Sequence, residues 1–272
     1  MKNQRLKRLD KILTDRGFAK SREAAREMIE GGAVEVCGIV RDKAAAAFPE
    51  DAPVRVAVPC GASEWVSRGA HKLIKGLDEW GVDPSGKACV DIGASTGGFT
   101  QVLLSRGAAK VAAVDVGYGQ LAWVLRADPR VRPLERTNAR YLTRADIGWD
   151  ADLVTVDASF ISLRLLLPNL KGLLAPDGRI IALVKPQFEV GRQNVGKGVV
   201  RDPALHAQVL RDLALFSRDS LGLSLLGATY SPIRGPEGNI EFIFLLGVCR
   251  DSAIEFDTES IGSLVGEAHE KI

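Results

Sequence analysis

At 272 residues, 46% hydrophobic and 26% charged, the chain has the composition of a globular protein with room for one large domain and a smaller one. No apolar run approaches the roughly 18 residues of a membrane span, and the opening MKNQRLKRLDK lacks a signal peptide's apolar segment, so a cytoplasmic protein without a membrane partner is expected. The four cysteines and three histidines are scattered with no C-x-x-C pair, which points away from a metal site and from a disulfide framework.

The net charge of +2 conceals an asymmetry. Residues 1–26 hold nine Lys or Arg against three acids, a balance of +6, which leaves −4 for the rest of the chain. Concentrated positive charge is the footprint of a polyanion partner, although a solvated basic helix has the same composition. The candidate nucleic-acid contacts are Arg5, Lys7, Arg8, Lys11, Lys20, Arg22 and Arg26. Leu9, Ile12 and Leu13 share one face of a helix over Leu6 to Arg16, which Gly17 can stop. Ser21 can cap a second helix that turns Ala24, Ala25, Met28 and Ile29 inward and ends at Gly31-Gly32. Alternating Val34 and Val36, a turn at Gly38 and a strand from Val54 to Val58 complete a small α+β module over residues 1–59, with a short linker at 60–66.

Residues 67–272 read as an α/β domain organised around ACVDIGASTGGFT, residues 88–100. A strand reaches Asp91, a turn runs through Gly93, Gly97 and Gly98, and Phe99 to Leu104 has the composition of a helix. Such a strand-to-helix turn brings the backbone close to a ligand. Ser95 stands where a dinucleotide fingerprint needs its second glycine, and Asp91 would repel phosphate. A second strand, Lys110 to Val116, carries Asp115 at its end, placed for ribose hydroxyls. Two strand-end acids around a glycine turn describe a pocket for S-adenosylmethionine, lined by Asp91, Gly93, Ser95, Gly97, Gly98, Phe99 and Asp115. Asn138 either reads an adenine amino group or stabilises a turn.

Farther on, a helix carries Leu121, Trp123 and Leu125, and the strand Asp152 to Val156 ends in Asp157. A helix with Leu163, Leu166 and Leu170 follows, then a turn at Pro176-Asp177-Gly178 and a strand from Arg179 to Val184 that stops at Lys185-Pro186. Lys185 thus joins Asp91, Asp115 and Asp157 in one row of strand ends, the ligand crevice of a doubly wound sheet. Leu223 to Tyr230 and Ile240 to Val248 form an antiparallel hairpin at the sheet edge, with Glu241 where a neutral residue would be expected. GRQNVGK, residues 191–197, satisfies most of a Walker A pattern, but Gly198 stands where the magnesium-binding Ser or Thr belongs. A basic loop over 191–201 closing on a nucleic-acid substrate is the expected use of that stretch.

RLDKILTDRGFAKSREAAREMIEGGAVEVCG resembles the S4 domain, an RNA-binding module, with Cys37 where that family usually has Asn before the turn glycine. SRGAHKL, DIGASTGGF, AVDVGYGQL, LVTVDASFISL, LVKPQFEVG and GPEGNIEF resemble the FtsJ-like ribose 2′-O-methyltransferases, and the chain as a whole resembles the TlyA-type ribosomal RNA methyltransferases. The resemblance implies a Rossmann-like, S-adenosylmethionine-dependent methyltransferase domain after an S4 domain. It also implies ribosomal RNA or ribosomal subunits as partner, with cytidines in 16S or 23S RNA as targets. A monomer is expected.

The resemblance further implies a catalytic tetrad of Lys72, Asp157, Lys185 and Glu241. Lys185 would be the base, Lys72 would orient the substrate, Asp157 would hold Lys185 and face the sulfonium, and Glu241 would fix Lys72 or the ribose. Neighbouring cations lower a lysine pKa and counter-ions raise it, so these roles follow from the family and not from spacing. Members of the family often carry a hemolysin label. The alternatives to an RNA methyltransferase are a non-catalytic RNA-binding or assembly factor, a membrane-active hemolysin, and a small-molecule methyltransferase, against which the basic N-terminal module speaks.

Overall fold

The structure is a computed structural model that describes residues 6–19, 21–30, 32–56, 65–191, 195–196, 198–248, 254 and 256–272. The chain divides into two compact units, Met1–Glu64 and Trp65–Ile272. Arg5, Lys20, most of the expected linker at 60–66 and part of the 191–201 loop lie outside the described residues.

The first unit runs β1 (Leu6–Arg8), α1 (Leu9–Asp15), α2 (Arg22–Glu30), β2 (Val34–Val36), β3 (Ile39–Val40), β4 (Ala47–Pro49) and β5 (Val54–Val56). The first helix starts three residues later than its apolar pattern suggests, because Leu6 to Arg8 are held extended by antiparallel pairing with β4. Leu9 and Leu13 are fully buried in a core with Ala25, Ile29, Val34 and Val36. The Ser21 hydroxyl accepts from the Ala24 amide at 3.1 Å, the capping bond that its position before α2 implies. Cys37 and Gly38 form the two-residue turn between β2 and β3, with φ of 55° and 77°. Both values are positive, as a type I′ hairpin turn requires, and Asn fits the first position better than Cys.

The second unit contains α3 (Ala70–Trp80), β6 (Ala88–Ile92), α4 (Gly98–Ser105), β7 (Lys110–Val114), α5 (Trp123–Arg126), β8 (Val131–Leu134), α6 (Arg144–Ile147), β9 (Ala151–Val156), α7 (Leu163–Lys171), β10 (Leu174–Val184), α8 (Pro186–Glu189), α9 (Pro203–Leu221), β11 (Ser224–Tyr230), β12 (Phe242–Gly247) and α10 (Thr258–Lys271). Among the described residues they build one seven-stranded sheet in the order β11-β12-β10-β9-β6-β7-β8. From β10 to β8 all neighbours are parallel, and β12 pairs antiparallel with both β10 and β11. The expected edge hairpin is therefore present, with its second strand on the inside. Two local expectations change. Pro176-Asp177-Gly178 lies within the long β10, where the register against β9 shifts between Leu174 and Arg179. The helix expected from Leu121 shrinks to α5, with Leu121 and Leu125 buried and Trp123 38% exposed.

Alternate side chains of the central strands feed two cores, one on each face of the sheet. Val90, Val154 and Ile180 meet Leu167 of α7, Leu213 of α9 and Val265 of α10. Cys89, Leu153 and Ile181 meet Leu73 and Leu77 of α3 and Val102 and Leu103 of α4. A parallel sheet covered on both faces needs apolar residues at successive positions, which is why its strands lack a polar alternation. The chain leaves β6 toward β7 on one side and returns to β9 on the other, so a crevice opens above the carboxyl ends of β6 and β9.

The Cys37 geometry makes the first prediction. Cys37→Asn should stabilise the β2–β3 hairpin by about 0.5–1 kcal/mol, read as slower amide exchange at Val36 and Ile39. Unchanged or faster exchange would show that the left-handed backbone at 37 carries no strain.

Candidate active site

The crevice gathers four charged side chains from four separate elements. Lys72 comes from the first turn of α3, Asp157 follows β9, Lys185 caps α8 after β10, and Glu241 precedes β12. Lys72 Nζ donates to Glu241 Oε2 at 2.5 Å and lies 3.8 Å from Asp157 Oδ2. Lys185 Nζ is 2.6 Å from Asp157 Oδ1 and donates to Ser159 Oγ at 3.0 Å. The result is a continuous chain, Glu241–Lys72–Asp157–Lys185, of two cations and two anions. Lys72, Lys185 and Glu241 are 6%, 5% and 0% exposed, so water contributes little to holding their charge. Glu241 Oε1 is buried with no hydrogen-bond partner. The four residues expected to act together are thus together, and Ser159, which no residue-type pattern singles out, completes the shell around Lys185.

Beside Asp157 lies a cavity of about 350 Å³. Ile92, Val114 and Val116 give it apolar walls, while Gly93, Ser95, Asp115, Asn138 and Asp157 bring polar groups to it. Its described lining has two carboxylates and neither Lys nor Arg, which suits a nucleoside bearing positive charge and not one bearing phosphates. Asp115 is oriented by two backbone amides, Ser95 N at 2.8 Å and Gly117 N at 2.7 Å. Asn138 Oδ1 accepts from Arg140 N at 3.1 Å, the bond of a turn-stabilising asparagine, and the residue lines the cavity.

Four of the expected cofactor contacts stand elsewhere. Asp91, Gly97, Gly98 and Phe99 do not line the cavity. Phe99 belongs to the α3–α4 core. A side chain at Gly97 would collide with Leu125, and one at Gly98 would come 3.0 Å from Ser67 Cβ. These glycines leave room for the loop to pack against the protein. Gly93 has both tasks, since it lines the cavity and its missing Cβ would fall 2.6 Å from the Asp157 carbonyl oxygen.

Asp91 is fully buried between two hydroxyls, Thr100 Oγ1 at 2.7 Å and Thr155 Oγ1 at 3.0 Å. Thr155 is its register partner on β9, and Thr100 lies in the first turn of α4, so the acid ties helix and strands together beneath the loop. Burial pushes its carboxyl up to about 7 from an ordinary 3.8, against the opposing pull of both hydroxyls.

In the first unit, Asp10 is 4% exposed and takes hydrogen bonds from Arg8 and Arg22, each at 2.9 Å. The Arg8 guanidinium, helped by Arg22, holds the Asp10 carboxyl down at about 2. Lys7 pairs with Asp15 and Glu50, and Arg26 pairs with Glu30 at 3.0 Å. The side chains of Arg8, Arg22 and Arg26 nevertheless remain 49%, 58% and 66% exposed, so each arginine can offer further N–H donors to an anion while held in place. Lys11 is also exposed.

An FtsJ-like methyltransferase family model matches residues 65–248, and an S4 domain model matches residues 7–46. The chain is 49% identical over 248 residues to the 16S/23S rRNA (cytidine-2′-O)-methyltransferase TlyA of Mycobacterium tuberculosis, covering 91% of this chain and 92% of that protein. It is 37% identical to Hemolysin A of Brachyspira hyodysenteriae, covering 87% of this chain and 98% of the relative. A solved structure from Streptococcus thermophilus, described as a candidate hemolysin, superimposes with a TM-score of 0.73 at 38% identity, covering 98% of this chain and 97% of the other. No helix among the described residues is long and apolar enough to cross a membrane, and no group of three or more His, Cys, Asp or Glu among them could hold a metal ion.

The Asp91 environment makes the second prediction. Its raised pKa means that the protonated carboxyl stabilises the fold fully below about 3.8, and that this contribution is lost as pH rises through about 7. Asp91→Asn cannot ionise, so its melting temperature should gain on wild type between about pH 4 and about pH 7. A constant difference across that range would mean that Asp91 is not the buried acid described.

Proposed function

The chain belongs to the FtsJ-like methyltransferase family and carries an S4 domain, and we propose that it transfers a methyl group from S-adenosylmethionine to the ribose 2′-hydroxyl of a cytidine in ribosomal RNA. The observation that carries this reading is the four-membered charge chain standing against a carboxylate-lined cavity, with Asp157 common to both. When bound, S-adenosylmethionine supplies an electrophilic methyl group on a sulfonium.

The cavity residues fit that ligand by their chemistry: apolar walls for the adenine ring, Asp115 for the ribose hydroxyls, and Asp157 toward the cationic end. The reaction asks the protein to remove the proton of the attacking hydroxyl and to hold its oxygen in line. Lys185 Nζ is the proposed acceptor of that proton. A lysine serves as a base only in its neutral form. Lys72 Nζ, gripped by Glu241, is the proposed guide for the hydroxyl oxygen, and the unpartnered Glu241 Oε1 offers a further acceptor at the same end. The exposed arginines of the first unit supply the grip on RNA, a contact that weakens as salt rises.

Purified protein should place label from methyl-labelled S-adenosylmethionine on isolated 30S or 50S subunits. The label should sit at a phosphodiester that resists alkaline cleavage, because a methylated 2′-oxygen cannot attack the neighbouring phosphate. Lys185→Ala should lower the rate by about 10²- to 10⁴-fold while binding of S-adenosylmethionine persists. Cofactor binding without label on any subunit or free rRNA would favour a non-catalytic RNA-binding factor.

A further inference from the structure

We propose that a second cavity, beside α8, receives the base of the target nucleotide, and that the Gln187 carboxamide reads the amino edge of cytosine there. The inference deepens the ribose-methylation reading and rests on it. The cavity is about 310 Å³ and is lined by Phe160, Ile161, Ser162, Gln187 and Phe188. It shares Phe160 and Ile161 with the cofactor cavity, so the two adjoin. Phe160 directly follows Ser159, the hydroxyl that holds Lys185, and Gln187 lies two residues after Lys185 itself. A base in this cavity therefore lies against the two segments that carry Ser159 and Lys185.

Three features describe the ligand that would fit this cavity. The first is an aromatic wall: Phe160 is 91% exposed with a left-handed φ of 64°, and its ring lies 5.3 Å from that of Phe188 at 47°. An exposed ring on an unfavourable backbone is costly in the free protein, and a planar partner turns that cost to use. The second is neutrality, since no charged side chain lines the cavity among the described residues. The third is an acceptor without a donor: Gln187 Oε1 is buried and has no hydrogen-bond partner. Ser162 does not serve it, because its hydroxyl donates to Glu189 at 2.7 Å and accepts from Arg164 N.

A neutral, flat ligand carrying an N–H donor fits all three features. Cytosine presents its exocyclic amino group beside the N3 acceptor, so a carboxamide can accept from the first through Oε1 and donate to the second through Nε2. Uracil reverses both positions and leaves Oε1 facing a carbonyl.

The test uses the full-length protein and subunits in which the labelled cytidine is replaced by uridine. Wild type should favour cytidine in kcat/KM by about tenfold or more, the scale of one bidentate base contact, and Gln187→Met should erase most of that ratio. Affinity for S-adenosylmethionine should hold, because Gln187 does not line the cofactor cavity. A cytidine-to-uridine ratio in Gln187→Met equal to wild type, or wild type without preference, would overturn this inference alone. A wild-type protein that labels no subunit would overturn the methyltransferase reading and this inference with it. If Gln187→Met does not fold, the wild-type side-chain amide resonance of Gln187 gives the answer. It should move on adding cytidine monophosphate and not uridine monophosphate, and the same response to both, or to neither, would overturn the assignment.

Discussion

Three charges held almost entirely out of water, bridged by an Asp157 side chain that is 21% exposed, impose the condition that the rest of the catalytic unit satisfies. A buried lysine or glutamate is tolerable only with its partner in place, and removing one member of such a pair costs about 3–5 kcal/mol. Because Lys72, Asp157, Lys185 and Glu241 come from four different elements, their pairing ties α3, the ends of β9 and β10, and the entry to β12 to one another. The antiparallel β12, inserted beside β10, opposes Phe242 to Val184 and so brings Glu241 alongside Lys185. Topology and electrostatics thus arrive at the same place.

Asp157 gives the arrangement its direction. One carboxylate faces both lysines and also borders the cofactor cavity, so the charge of whatever occupies that cavity is felt by the proposed base. Its position follows from the sheet: its amide donates to the Ile92 carbonyl at 2.9 Å, and Gly93 leaves room for its carbonyl. Asp91, whose register partner Thr155 lies two residues before Asp157, supports the loop from below. Two acids at neighbouring strand ends consequently have different environments and different tasks.

Much of this was legible in the sequence because it depends on periodicity and on charge in apolar settings. The strands around Asp91, Asp115, Asp157 and Lys185 are short apolar runs ending in charge, and the order of the sheet follows from their crossovers. Glu241 stood out as an acid at the start of an apolar strand. Asp91, Gly97, Gly98 and Phe99 lie outside the cavity lining, which their sequence pattern does not reveal: a glycine that clears a ligand and one that clears Leu125 look alike until the chain is folded. The start of α1 was misplaced because pairing with β4, about forty residues away, overrides local helical periodicity. Ser159, Thr100 and Thr155 carried no signal, since hydroxyl residues are common and only their partners distinguish them. Gln187 could be found only from its unpaired oxygen.

The central claim is that the four charged groups work as one unit, and a double-mutant cycle on single-turnover methyl transfer tests it most directly. Lys72→Met, Glu241→Gln and the double variant should each be slow, with the double variant no slower than the worse single one, because either change already breaks the same link. Losses that simply add in the double variant would contradict the account and make Lys72 and Glu241 independent contributors.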